Sequence, residues 1–181
     1  CLNDSDELRI QELYRRLAND ERRNNLIFDD VLQALDAGRS PILLTERKEH
    51  LEYFADRLSK FTRNLIVLQG GRGAKRRRDD LDRLAAIPDT EERLIIATGR
   101  YIGEGFDDAR LDTLFLALPV SWKGTLVQYA GRLHRLHPDK TEVSIYDYVD
   151  RNVPMLARMF ERRLRGYRTI GYSTGEIETN L

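Results

Sequence analysis

The chain has 181 residues, and its 30 basic side chains (Lys and Arg) balance its 30 acidic side chains (Asp and Glu). This length suits one domain with an appendage, which buries roughly 70% of the surface of the unfolded chain. The only cysteine, Cys1, excludes an internal disulfide and favours a reducing, cytoplasmic location. No apolar run approaches the ~20 residues that cross a membrane, so no membrane partner is predicted.

Two helices are predicted at the beginning of the chain. Residues 6–17 carry leucines at near-helical spacing, and residues 20–37 repeat the pattern and stop at Gly38, a typical helix end. From residue 39 onward, short apolar runs alternate with helical patterns. We predict strands at residues 41–44, 64–68, 93–98, 113–118 and 143–148, and helices at residues 48–59, 75–86, 123–133 and 153–165.

The predicted strands are apolar on successive residues, as in Leu94, Ile95 and Ile96. That pattern is typical of strands covered on both faces, as in a parallel sheet. Alternation with helices predicts an α/β domain with a doubly wound parallel sheet over residues 39–150. Residues 1–38 are then a helical connector or insertion, and residues 151–181 a C-terminal helix and tail. In such sheets, ligands bind beyond the carboxyl ends of the strands.

Residues 128–135 read Gln-Tyr-Ala-Gly-Arg-Leu-His-Arg. On a continuous helix, Gln128, Arg132 and Arg135 share one face. Guanidinium groups stay charged and fork onto phosphate oxygens, so this face suits a polyphosphate. A solvated basic helix end is the alternative.

The predicted loop after the third strand, residues 97–107, contains three glycines that allow tight turns. Thr98 offers a hydroxyl at the strand tip, and Asp107 can accept a hydrogen bond from a sugar hydroxyl. An ordinary loop in which Asp107 caps a turn is the alternative.

The loop after the second strand superficially resembles a P-loop, because residues 69–75 read Gln-Gly-Gly-Arg-Gly-Ala-Lys. Ala74 separates the Gly-Lys pair, and Arg76 stands where a magnesium-binding Ser or Thr belongs, so the P-loop is excluded. Backbone N–H groups and basic side chains here can instead bind a nucleic-acid phosphate. A solvated face with i, i+4 pairs such as Arg76–Asp80 explains the segment equally well.

In order and spacing, these loops resemble the second RecA-like domain of superfamily 2 helicases and translocases, the DEAD/DEAH-box class in the broad sense. The resemblance covers residues 38–150. Residues 41–58 resemble motif IV of that family, residues 68–71 the loop that follows it, residues 98–107 motif V, and residues 128–135 motif VI. Gln-x-x-Gly-Arg-x-x-Arg alone is moderately specific, and the preceding Thr-Gly-x-x-x-Gly-x-Gly-x-Asp segment makes the combination strong.

The resemblance implies a role for each residue of these loops. Arg135 would be the arginine finger on the γ-phosphate of ATP, with Arg132 at the same phosphate and Gln128 in the inter-domain site. Gly105 and Asp107 would lie near the ribose. The residues expected along the nucleic-acid backbone are Thr45, Gly70, Arg72, Thr98, Gly99 and Arg100.

Two departures favour a DNA-directed, restriction-type or repair-type branch over an RNA helicase. Gln128 replaces the His of strict DEAD-box RNA helicases, and Phe106 stands where those proteins usually have Leu. The chain also lacks a P-loop and an acidic magnesium motif, which the family carries in the preceding domain. We therefore expect the C-terminal motor half of a larger ATP-hydrolysing enzyme, inactive alone. ATP and Mg²⁺ would bind against an N-terminal RecA-like domain of the same polypeptide, which would hold the metal.

Two further expectations remain open at this point. A non-catalytic module that binds nucleic acid or protein through a RecA-like fold is the alternative function. The helix predicted at residues 153–165 mixes apolar residues with arginines, and we favour packing on the sheet over a basic partner surface. The three histidines lack metal-ligand spacing, so no metal site is predicted in this chain.

Overall fold

The computed structural model describes residues 4–71, 73–103, 106–120 and 125–175. The elements in chain order are α1 (Asp4–Ala18), α2 (Glu21–Asp36), β1 (Pro41–Thr45), α3 (Lys48–Leu58), β2 (Leu65–Leu68), α4 (Ala74–Ala85), β3 (Leu94–Thr98), α5 (Gly99–Gly103), β4 (Thr113–Leu116), α6 (Thr125–Arg132), β5 (Ser144–Asp147) and α7 (Pro154–Thr169). Every predicted strand and helix is present, with ends that differ by a few residues.

The five strands form one parallel sheet in the order β2-β3-β1-β4-β5. The predicted doubly wound parallel sheet is therefore confirmed. The central strand is β1, where Ile42 lies opposite Ile95 of β3 and Leu114 of β4. Because all strands run the same way, their carboxyl ends lie at one edge of the sheet.

Helices cover both faces of the sheet, because successive strand residues point to opposite sides. On one face, Leu43, Ile96 and Phe115 pack against α2 and α3. On the other face, residues such as Ile42 pack against α4, α5, α6 and α7. Ile27 of α2 is fully buried, so the segment predicted as a connector contributes to the main core. The boundaries at residues 38 and 150 stay predictions.

A short helix, α5, occupies part of the segment predicted as a loop after β3, and that part of the prediction is wrong. Its residues Tyr101 and Ile102 are 2% and 1% exposed and lie in the core. Burial of two large apolar side chains outweighs the low helix propensity of the flanking glycines.

Two buried arginines fasten the outer helices to the carboxyl ends of β4 and β5. Arg23 of α2 donates from Nη2 to the carbonyl of Ala117 at 3.0 Å. Arg163 of α7 donates to both carboxylate oxygens of Asp147, at 2.7 and 2.9 Å, and to the carbonyl of Val120 at 2.9 Å. These bonds place α7 on the domain itself, as favoured from its sequence.

The helices α1 and α7 also contact each other over the end of β4. A small apolar cluster is formed by Leu17 of α1, Leu118, which follows β4, and Leu156 of α7. None of the helices in the described ranges is both long and apolar enough to cross a membrane.

Candidate functional site

The segment after α5 is anchored on both sides of Asp107. Phe106 is 3% exposed and packs edge-on to Tyr101, with 6.0 Å between ring centroids. Asp108 forms an ion pair with Arg93, which is almost fully buried, with 2.9 Å between Oδ2 and Nη1. Arg93 immediately precedes β3, so these contacts hold the Asp107 carboxylate, 34% exposed, at the surface toward the amino ends of the strands.

Two arginines converge on this segment from the end of α6. Arg135 forms an ion pair with Asp107 at 2.8 Å and keeps 58% of its side chain exposed. Arg132 donates from Nη1 to the carbonyl oxygen of Phe106. The segments that resemble motifs V and VI therefore meet in space.

The predicted common helical face is wrong for Arg135, because α6 ends at Arg132. The N–H of His134 donates to the carbonyl of Gly131 at 3.2 Å, and that of Arg135 to Arg132 at 3.1 Å. These are turn hydrogen bonds, so Arg135 extends from a turn. Gln128 and Arg132 do share a face of α6, and Gln128 is exposed.

A shallow depression lies between the Asp107 segment and α6, lined by residues that include Leu111, Tyr129 and Arg132. The Tyr129 hydroxyl is buried and has no hydrogen-bond partner among the described residues. Burial raises the pKa of Tyr129, so the hydroxyl stays protonated and able to donate.

This set of groups fits one side of a nucleotide site. Two guanidinium groups suit phosphate oxygens, Asp107 suits a sugar hydroxyl, and the Tyr129 hydroxyl is a spare donor. Gly105, expected near the ribose, lies outside the described residues. Across the described ranges, no three His, Cys, Asp or Glu side chains come together as a possible metal site.

A second cluster lies at the carboxyl ends of β2 and β3. The N–H of Gly70 donates to the Thr98 hydroxyl at 2.9 Å, which joins two residues predicted to contact nucleic acid. A Cβ on Gly70 would lie 2.8 Å from the Arg100 side chain and 2.9 Å from the backbone nitrogen of Tyr101. Glycine is therefore required sterically, and Arg100 runs along the Gly70–Gly71 turn.

Gly99 adjoins a carboxylate that the sequence analysis missed. A Cβ on Gly99 would overlap Oε1 of Glu46, the residue that follows β1. The only sequence signal for Glu46 was its position at a strand tip. An acidic group thus stands among the residues expected to contact phosphates.

The beginning of α4 adds positive charge beside this cluster. Its first turn contains no acidic residue and no side-chain cap. Arg77 lies over the Tyr101 ring at 5.1 Å, and the predicted Arg76–Asp80 pair forms at 3.6 Å. Arg72 lies outside the described residues. Part of the basic segment is therefore neutralised internally, and part is attached to α5.

Thr45 has a structural role in this arrangement. It is 1% exposed, and its hydroxyl lies 3.0 Å from Nδ1 of His50. Nε2 of His50 lies 2.8 Å from the amide oxygen of Asn24, whose NH₂ group donates to the carbonyl of Ala18. The carbonyl acceptor at Asn24 places the His50 proton on Nε2, so Nδ1 accepts from Thr45. The expected nucleic-acid contact of the Thr45 side chain does not fit this burial.

Burial, together with the guanidinium groups of Arg23 and Arg47, lowers the pKa of His50 to about 4. The imidazole is therefore neutral at physiological pH. It links α2, α3 and the end of β1 through a continuous hydrogen-bonded chain.

No protein-family model matches the chain. Transcript termination protein A18 of Yaba-like disease virus is 30% identical over 132 residues, which are 71% of this chain and 27% of that protein. Its counterpart in Vaccinia virus (strain Ankara) is 30% identical over 121 residues, 66% of this chain and 24% of that protein. The chain thus spans about a quarter of the length of these relatives.

Two solved structures share the fold. T4 UvsW matches with a TM-score of 0.67 and 18% identity, over 88% of this chain and 35% of that one. The C-terminal part of Fun30 ATPase domain matches with a TM-score of 0.60 and 16% identity, over 74% and 43%. The chain therefore has the RecA-like α/β fold and is similar in sequence to the poxvirus transcript termination proteins.

Proposed function

We propose that this chain is the C-terminal motor half of an ATP-dependent nucleic-acid helicase or translocase. It would supply the arginine finger and part of the nucleic-acid track. The observation that carries the proposal is the convergence of Arg132 and Arg135 on the segment that holds Asp107. In the family that the sequence resembles, the finger and the ribose contact come from these same two segments.

The two arginines are suited to different tasks. Arg132 is held by the Phe106 carbonyl, so its guanidinium is kept in place beside the depression. Arg135 is mostly exposed, and within the described part of the chain its side chain is held through Asp107. It can exchange that carboxylate for a phosphate oxygen of a ligand bound against a neighbouring domain, and Asp107 is then free to accept from a sugar hydroxyl.

Bound ATP with Mg²⁺ supplies the phosphoanhydride bond and the charge that develops as it breaks, and we expect the Mg²⁺ ligands in the N-terminal RecA-like domain. Arg135 stabilises that charge, an effect worth about 10³–10⁵ in rate for arginine fingers. Gln128 is exposed on the same face of α6 as Arg132, where it can contact the partner domain.

The nucleic-acid track would follow the cluster at β2 and β3. Gly70 lets the Arg100 side chain approach the backbone at these strand ends, and Arg72 and Arg100 would add charge for a phosphate. We propose DNA over RNA because of Gln128 and Phe106. The relatives named transcript termination proteins are compatible with a nucleic-acid substrate. Cytoplasmic location remains a prediction.

The test is nucleic-acid-stimulated ATP hydrolysis by the native polypeptide that carries this chain. Wild type is compared with Arg135→Ala and Arg135→Lys, using duplex DNA, single-stranded DNA and RNA as stimulants. Lys60→Ala is the control, because Lys60 is an exposed cation paired with Asp56 and distant in sequence from the site.

We expect Arg135→Ala to lower turnover by two or more decades while ATP binding is retained. Arg135→Lys should recover little, since lysine keeps the charge without the fork. The best stimulant identifies the substrate. Unchanged turnover in Arg135→Ala would reject the motor assignment of this site and leave the non-catalytic binding module as the better explanation.

A further inference from the structure

The exposed face of α7 carries a stripe of three arginines, Arg158, Arg162 and Arg165. At 3.6 residues per turn, they fall within about 60° of each other on the helix circumference. The opposite face of α7 is buried through Leu156, Arg163 and Tyr167. The stripe therefore points away from the sheet.

Two exposed arginines elsewhere in the described chain share an acidic partner. In α1, Arg15 and Arg16 both bind Glu12, at 2.8 and 3.0 Å. Among the residues that the structure describes, Arg158, Arg162 and Arg165 form no such pair. Glu161 flanks the stripe and is also exposed, so it reduces the local charge without neutralising it.

The position of α7 brings the stripe close to the carboxyl edge of the sheet. Arg163 binds Asp147, the last residue of β5, and the carbonyl of Val120 beyond β4. The helix is thus fixed at the carboxyl edge of the sheet, the same edge that holds the Gly70 cluster.

We propose that the α7 arginine stripe binds the phosphate backbone of a nucleic acid and extends the track along the β4–β5 side of the domain. This inference rests on the proposed function, which brings a nucleic acid to this edge. Guanidinium groups match phosphate oxygens with two parallel donors. From Arg158 to Arg165 the helix rises about 10 Å, the axial length of about three nucleotides of one DNA strand.

The experiment compares two triple variants of the native polypeptide. Arg158→Ala/Arg162→Ala/Arg165→Ala removes the stripe. Arg9→Ala/Arg15→Ala/Arg16→Ala removes three exposed arginines from α1, so its change in net charge is the same. Alanine favours helix at all six positions, and circular dichroism checks that both variants remain folded. Dissociation constants for fluorescent duplex DNA, single-stranded DNA and RNA are measured by anisotropy between 50 and 200 mM salt.

For the stripe variant, we expect affinity to fall at least about tenfold at low salt and the slope of log K against log salt to fall by about 2–3 on duplex DNA. The α1 variant should retain the wild-type slope. Equal losses in both variants would show a general charge effect and overturn the inference, as would unchanged binding by the stripe variant.

The failure of this inference can be distinguished from that of the proposed function. Wild-type ATPase that depends on Arg135 and on nucleic acid, together with an inert stripe, rejects the inference alone. Wild type that neither binds nucleic acid nor is stimulated by it rejects both. Binding of the same variants to vesicles containing phosphatidylserine is measured in parallel. If the stripe variant loses binding to these vesicles alone, the nucleic-acid partner is rejected in favour of an anionic membrane.

Discussion

Replacing Arg163 with methionine should destabilise the domain by about 3–5 kcal/mol, the usual effect of removing one partner of a buried ion pair. Arg163 is 1% exposed and makes three hydrogen bonds, two of them to Asp147. Without the guanidinium, the 7% exposed Asp147 side chain keeps only the Tyr167 hydroxyl, at 3.0 Å, among its described contacts. The net effect combines an uncompensated buried charge with three lost bonds, and methionine retains much of the apolar packing of the stem.

Urea unfolding of the chain measures this effect. With a slope of about 2 kcal/mol per M urea, the midpoint should fall by about 2 M. The double variant Arg163→Met/Asp147→Asn removes both charges and should be more stable than Arg163→Met alone. A loss below about 1 kcal/mol in the single variant, or a double variant as unstable as the sum of both singles, would refute the assignment of a coupled buried pair.

Three further outcomes are expected. Asp107→Asn should raise the KM for ATP of the native enzyme. Because the exposed pair between Asp107 and Arg135 contributes less than about 1 kcal/mol to stability, the Tm of the variant should stay within about 4 °C of wild type. A larger fall in Tm contradicts this. Gly70→Ala should lower the free energy of unfolding in urea by about 1–3 kcal/mol, because the new Cβ meets Arg100 and the backbone. Gly73→Ala places its Cβ in open space and should leave the stability nearly unchanged. Equal effects of the two substitutions would reject the steric argument. Below pH 6.5 an unfolded histidine takes up a proton, whereas folded His50 does so only near pH 4. Acidification between these values should therefore lower the free energy of unfolding by at most about 3 kcal/mol. In His50→Gln this pH dependence should be weaker, and the same pH dependence in wild type and variant would count against a neutral buried His50.

The sheet could be predicted because its signal is local. Runs such as Leu94–Ile96 are apolar at every position, which is typical of a short strand buried on both faces. The helix α5 could not be predicted from the same information, since its glycines disfavour helix and its stability comes from burying Tyr101 and Ile102. Tertiary packing decided that segment.

The sequence predicted the two segments that form the site but not their arrangement in space. Spacing in the sequence joined Arg132 and Arg135 on a helix, whereas the turn after α6 and the ion pair to Asp107 depend on contacts between distant residues. Arg163 carried a usable signal, because it recurs with Leu156 and Tyr167 at i, i+7 and i+11 on the buried face of α7.

The central place of β1 has a consequence for folding. Of the five strands of this sheet it is synthesised first, yet its neighbours β3 and β4 follow roughly fifty and seventy residues later. Pairings of such long sequence separation form slowly, because loop-closure entropy precedes the gain from contacts. During synthesis, β1 therefore emerges with both edges open and both faces apolar, and α2, already made, is the element available to cover one of those faces. Ribosome release before β4 appears would leave an unpaired apolar strand edge, the typical start of aggregation.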